Sequence, residues 1–207
     1  MRFRFPDRFF VAGTDTGVGK TLVSAMLCLG LGADYWKPVQ SGSVEGLDST
    51  MVSRMSGLGK ERVLPERYVF RDPLSPHLAA RNEGGWIDPE RLCIPGNPGR
   101  LIVEGAGGLM VPLNNDFLMI DLIRELDIPV LVVASNRLGT INHTLLTVKA
   151  LASAKADILG VVLNKGINPD HKEAIEHFGQ VKVLAQLGHF ETINPEILQK
   201  RFNELFL

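Results

Sequence analysis

The run GTDTGVGKT, from Gly13 to Thr21, follows the apolar stretch RFFVAG and opens the helix-like segment KTLVSAMLCLGL. A glycine-rich turn between a strand and a helix leaves backbone N–H groups free, and with the helix N-terminus they cradle phosphate. In such a loop Lys20 reaches the outer phosphates and the Thr21 hydroxyl reaches magnesium, so the chemistry indicated is that of a nucleoside triphosphate. The interval from Gly13 to Gly19 holds one residue more than the common pattern, which strictly counted begins at Thr14. This is a variant loop.

Other residues of the same chemistry stand at the ends of apolar runs. Lys37, in KPVQSG, is a second cation able to meet charge developing in phosphoryl transfer, with the Ser41 hydroxyl as a further donor. Glu104, in EGAGG, closes the run RLIV and suits magnesium, which takes one or two carboxylates together with phosphate oxygens. The small residues after it let a substrate approach the backbone. Asp48 precedes STMVSRMSGL, where it reads most simply as a helix cap and could also supply a second carboxylate for the metal. Asn164 ends ADILGVVLN; the string NKGI lacks the aspartate of a guanine reader, so adenine is the expected base, with Asn164 reading its edge or merely ending the strand. The loop SNRLGT leads into INHTLLTVKALASA, and its N–H groups around Thr140 and Asn142 could receive a carboxylate or be ordinary helix capping. The five histidines show neither metal-ligand spacing nor a nucleophile partner and receive no role.

Elements that would position these groups are legible as alternation. RFFVAG, DYWKPV, RLIVEG, IPVLVVAS and ADILGVVLN are continuous apolar runs, as expected of strands buried on both faces. Amphipathic segments, KTLVSAMLCLGL, DSTMVSRMSGL, FLMIDLIRELD and INHTLLTVKALASA, lie between them. The pattern predicts an α/β fold, a largely parallel sheet flanked by helices on both faces, with ligands at the carboxyl ends of the strands.

The 207 residues, 45% of them hydrophobic, predict one domain over 1–207. Lys and Arg number 22 against 23 Asp and Glu, which gives no positive field for nucleic acid or an anionic membrane. Small-molecule partners are expected instead. Cys28 and Cys93 are too far apart in sequence to suggest a paired motif and are read as buried free thiols. MRFRFPDRF has no leader character and no run approaches a membrane span, so a cytoplasmic protein is expected. The stretch from Gly84 to Gly99 reads as loop.

Together GTDTGVGKT, KPVQSG, LDSTMVSRMSGL, LSPHLAARNEG, VEGAGGLMVPL, NRLGTINHTLLT and VLNK resemble the dethiobiotin synthetase family, in that family's order, from Phe9 to about Gly188. The resemblance implies a single-domain P-loop fold and a magnesium-dependent reaction in which 7,8-diaminopelargonic acid, carbon dioxide and ATP give dethiobiotin, ADP and phosphate. It implies an ATP site at Gly13, Asp15, Thr16, Gly17, Val18, Gly19, Lys20, Thr21 and Asn164, with Lys37, Lys20 and Thr16 acting in catalysis. The implied metal ligands are Thr21, Asp48 and Glu104. Ser41 and Gly105, Ala106, Gly107 and Gly108 fall near the diamine. Gly139, Thr140, Ile141 and Asn142 match a helix start that holds the substrate's carboxylate from the partner subunit, which implies a homodimer.

Two features depart from the family pattern. The first helix and its connection to KPVQSG are short, and Pro89, Pro95 and Pro98 interrupt a stretch where relatives carry a long helix. Proline inside a helix costs about 3 kcal/mol, so a turn or two is expected there. Two other classes share the phosphate loop. Amide-forming ligases acting on a cobyrinic acid append a glutamine-hydrolysing domain for which this chain has no room; partition and division-site ATPases carry an extra lysine near the first glycine, and TDTGV has none. In the tail, Ile197, Leu198, Arg201, Phe202, Leu205 and Phe206 fall at helical spacing, which suits a membrane-surface helix or, more often, one docked on its own domain.

Overall fold

The computed structural model describes residues 3–96 and 98–207. The start of the MRFRFPDRF segment and Asn97, within the expected 84–99 loop, lie outside the described residues. The strands are β1 (Arg8–Gly13), β2 (Asp34–Trp36), β3 (Val39–Gln40), β4 (Val63–Leu64), β5 (Tyr68–Val69), β6 (Leu101–Gly108), β7 (Val130–Ser135), β8 (Ile158–Asn164) and β9 (Val183–Gln186). The helices are α1 (Lys20–Leu31), α2 (Asp48–Ser56), α3 (Pro76–Asn82), α4 (Met119–Leu126), α5 (Thr140–Ser153), α6 (Pro169–Gly179) and α7 (Pro195–Phe206).

Seven strands form one sheet in the order β4-β2-β6-β1-β7-β8-β9, every neighbouring pair parallel, and β3 and β5 form a separate parallel pair. The apolar runs are continuous because both faces of each strand are covered. Along β1, Phe10 and Ala12 enter one core with α3, α4, α5 and α6, while Phe9 and Val11 enter the other with α1, α2 and α7. The chain first builds outward on one side of β1, through β2 and β4, and later on the other, through β7, β8 and β9. β1 thus stands at the reversal of strand order, where open α/β sheets collect ligands.

Local sequence explains the limits of several elements. β2 stops at Trp36 because Pro38 cannot donate to a ladder; its carbonyl instead accepts the amides of Arg67 and Tyr68. The side chain of Asn168 accepts the amides of Asp170 and His171 at the start of α6, and that of Asn194 accepts Ile197 N–H at the start of α7, each followed by proline at the first helical position. Between Gly84 and Gly99 the only regular piece among the described residues is a single 3-10 turn, Pro89–Arg91, as the prolines require. The tail helix is docked: Leu198, Phe202 and Phe206 are buried, and Phe202 lies so close over Gly30 of α1 that a Cβ there would overlap the ring. Among the described residues no helix is long and apolar enough to cross a membrane. The expectation for the thiols needs correcting, since Cys28 is buried within α1 but Cys93 is exposed in the proline-rich loop.

Candidate active site

Two strands far apart in sequence carry the centre of the site. β6 inserts between β2 and β1, with Trp36 opposite Val103 and Val11 opposite Glu104. Lys37, the first residue after β2, therefore meets Glu104 side by side, and α1 brings Thr21 in from the other flank. Lys37 Nζ lies 2.6 Å from Asp48 Oδ2 and 3.2 Å from Glu104 Oε1. Thr21 Oγ1 donates to Glu104 Oε1 at 3.1 Å, and Tyr35 OH donates to Oε2 at 3.1 Å. Asp48 is not acting as a side-chain cap: α2 begins at Asp48 after Leu47 without a side-chain capping bond, and its carboxylate turns to Lys37. Gln40 anchors this start, its Oε1 accepting Asp48 N–H at 3.3 Å and its Nε2 donating to the Ser41 carbonyl at 2.8 Å.

Burial works against the ammonium of Lys37, but Glu104 and then Asp48, with the hydrogen bonds they accept, outweigh it and hold its pKa above the usual lysine value. Lys37 is a fixed cation. Tyr35 is pushed well up, by burial and then by the charge on Glu104, so its hydroxyl stays a donor. Lys20 goes the other way: burial, followed by repulsion from Lys37, lowers it to about 8. Its Nζ rests on two carbonyls, Asp15 O at 3.1 Å and Gly107 O at 3.0 Å. A buried ammonium held only by neutral acceptors is poised to gain from an arriving anion.

The loop above it is shaped by backbone constraint. Gly17 and Gly19 have positive φ, and a Cβ on Gly19 would strike Asn164 Nδ2. Asn164 Nδ2 donates to Val18 O at 3.0 Å, which ties the end of β8 to the loop and leaves Oδ1 as its remaining polar atom. Lys165 Nζ donates to Gly17 O at 2.7 Å, and Asp15 pairs with Arg137 at 2.8 Å.

A cleft of about 940 Å³ opens over these groups. Of the residues expected from the sequence, Thr16, Gly17, Gly19, Lys20, Thr21, Lys37, Ser41, Asp48, Glu104, Ala106, Gly107 and Asn164 line it. Gly13, Asp15, Val18, Gly105 and Gly108 do not. Gly13 and Val18 are buried beneath the loop, and Gly105 is glycine for packing, since a Cβ would sit 2.8 Å from the ring of Phe10. The Gly105 and Gly107 carbonyls nevertheless accept from Lys37 and Lys20. Gly139, Thr140, Ile141 and Asn142 do not line this chain's own cleft, although Arg137 just before them pairs with Asp15 of the phosphate loop. Thr140 N–H, one of the two amides singled out by sequence, is already bonded to Arg137 O at 3.0 Å. Sequence reasoning missed Gln40, Lys165, the wall from Pro73 to Pro76, and the rim Gly188, His189, Phe190 and Ile193. Serine before proline at Ser75-Pro76 was a readable helix start; the rim had no signal before β9 was placed.

The donor set suits a hard divalent cation. Two carboxylates and a hydroxyl, all oxygen, gather beside the loop, and the positive charge now between the carboxylates is the Lys37 ammonium.

A family model for an AAA domain matches residues 7–196. The ATP-dependent dethiobiotin synthetase BioD of Brucella abortus is 46% identical over 200 residues, covering 97% of this chain and 94% of that protein, and the Brucella ovis enzyme matches equally well. The chain belongs to the dethiobiotin synthetase family. Solved structures similar in fold include a ParA family ATPase from Chlorobium tepidum (TM-score 0.55, 13% identity, 89% of this chain and 84% of that one) and the MinC:MinD cell division complex of Aquifex aeolicus (0.55, 15%, 95% and 90%). The likeness to these is one of fold alone.

Proposed function

We propose that the cleft closes a ureido ring on 7,8-diaminopelargonic acid with carbon dioxide and ATP, giving dethiobiotin, ADP and phosphate. Membership of the family makes this chain an ATP-dependent ligase of biotin synthesis. The observation that carries the site reading is the convergence of Lys20, Thr21, Lys37, Asp48 and Glu104 on one cleft beside the phosphate loop.

The free N–H groups of the loop receive the phosphates of ATP, and Lys20 leaves its two carbonyls for the outer ones. Asn164 Oδ1 accepts from the exocyclic amine of adenine. Thr21, Asp48 and Glu104 would hold magnesium, which when bound supplies positive charge that offsets the repulsion between nucleotide and an anionic nucleophile. One amine of the substrate takes up carbon dioxide as a carbamate, and a carbamate oxygen attacks the terminal phosphorus with ADP leaving. Lys37 and Lys20 meet the charge that develops on the transferring group. The second amine then attacks the mixed anhydride and expels phosphate. That closure is intramolecular, for which positioning alone contributes on the order of 7 kcal/mol. Thr16, in an exposed part of the loop, and Ser41 both line the cleft where this chemistry would take place. Ala106 and Gly107 keep the floor low enough for the diamine, with Gly105 and Gly108 shaping the strand beneath.

The substrate's carboxylate tail is held by Gly139 to Asn142 of a second copy in a homodimer. Support for this is that the segment does not line its own cleft and that Leu138 beside it is 98% exposed. The reading also takes 1–207 as one domain acting in the cytoplasm. The test is ADP release from ATP, magnesium and bicarbonate with and without 7,8-diaminopelargonic acid, with mass detection of product. Diamine-dependent turnover giving dethiobiotin is expected; hydrolysis indifferent to the diamine would overturn the reading.

A further inference from the structure

We infer that Tyr35 is a positioning residue for the cation site, its hydroxyl fixing the plane of the Glu104 carboxylate so that a single oxygen is offered toward the phosphates. The inference rests on the reading of Glu104 as a metal ligand. Tyr35 pairs across the sheet with Ile102, two residues before Glu104, so both side chains emerge on the same face. Tyr35 is completely buried and Glu104 very nearly so. In that setting the two carboxylate oxygens have different surroundings. Oε1 accepts from Thr21 and Lys37, which line the cleft; Oε2 accepts from the hydroxyl of Tyr35, which is itself part of the buried core that holds Val11, Cys28 and Ile102.

Without that hydroxyl, Oε2 would be a buried acceptor with no partner, and rotation of the carboxylate toward the cleft would relieve it. Both oxygens would then compete for Lys37, Thr21 and the cation. Partners that orient a metal ligand from behind typically contribute 10- to 100-fold in metal affinity or activity. Tyr35→Phe removes only the oxygen and keeps the ring that fills the core.

The experiment measures Mn2+ binding to the protein–ADP complex by the loss of the free-ion paramagnetic signal, for wild type, Tyr35→Phe, Glu104→Ala and the double variant, each followed by urea melting. We expect Tyr35→Phe to bind Mn2+ about tenfold more weakly, Glu104→Ala to lose the site, and the double variant to match Glu104→Ala. In turnover assays the half-saturating magnesium concentration rises for Tyr35→Phe while KM for the diamine stays. If Glu104→Ala binds Mn2+ like wild type, the reading of Glu104 as a ligand fails. If Glu104→Ala loses the ion but Tyr35→Phe keeps the wild-type isotherm, only the positioning role fails. A shift in the urea midpoint without a shift in the isotherm likewise overturns it, because that is the signature of a core tyrosine and nothing more.

Discussion

Replacing Lys37 by methionine keeps most of the side-chain volume and removes the charge that two acids share. Unit charges about 4 Å apart interact by about 4 kcal/mol at an effective dielectric of about 20, and Lys37 meets both Asp48 and Glu104 within that range. Breaking a buried pair by deleting one partner costs about 3–5 kcal/mol, because an uncompensated charge is left behind. Asp48 retains some access to water and recovers part of its hydration, whereas Glu104 does not. The lower end, about 3 kcal/mol, is therefore expected. For a chain of this length that corresponds to a fall in Tm of about 6–12 °C. Magnesium should then raise the Tm of Lys37→Met more than that of wild type, since a cation restores the missing charge between the acids. Diamine-dependent turnover should fall by at least about 100-fold even at saturating magnesium, the scale of losing one donor to a developing anion. Scanning calorimetry with and without magnesium, beside the coupled ADP assay, checks all three. An unchanged melt with an unchanged magnesium response would falsify the pairing; wild-type turnover in the folded variant would remove Lys37 from the chemistry.

Lys20 and α7 give two further tests. Folded Lys20 titrates near 8 rather than 10.5, so between those values the unfolded chain binds more protons than the empty folded protein, and the contribution of Lys20 to stability rises with pH across that window. Phosphates lift the folded value again, so ADP binding should take up about 0.5 proton at pH 8 and about 0.1 at pH 7; calorimetric titration in two buffers of different ionisation enthalpy measures this, and identical heats at pH 8 would contradict it. Phe202→Ala should cost about 3–5 kcal/mol by leaving a cavity over Gly30, read as a lower urea midpoint at unchanged KM for ATP; an unaltered midpoint would mean that α7 is not held where it is seen.

The limits of α1 and the existence of β1, β7 and β8 could be read directly, because a run buried on both faces is continuous and the glycines at 19 and 32 bound the helix between them. The proline-rich stretch likewise declared its loss of helix. Shorter pieces were hidden: β4 and β9 are two and four residues long and half buried, and too little of their stability is local for their own residues to announce them.

Sequence by itself determined the chemical types and the places of the phosphate loop and Lys37 just after strands, since these follow from local pattern; Glu104, read as closing the run RLIV, instead lies inside β6, because the small residues after it continue the strand. Tertiary structure decided who meets whom. Only the insertion of β6 between β2 and β1 sets Lys37 against Glu104, turns Asp48 from a cap into an ion-pair partner, and places the phenol of Tyr35 behind the carboxylate. The physical reason is that strand order is fixed by how two buried faces pack, a property of the whole sheet, while side chains that touch in space stand far apart in sequence, 83 residues for Thr21 and Glu104 and 146 for Asn164 and Val18.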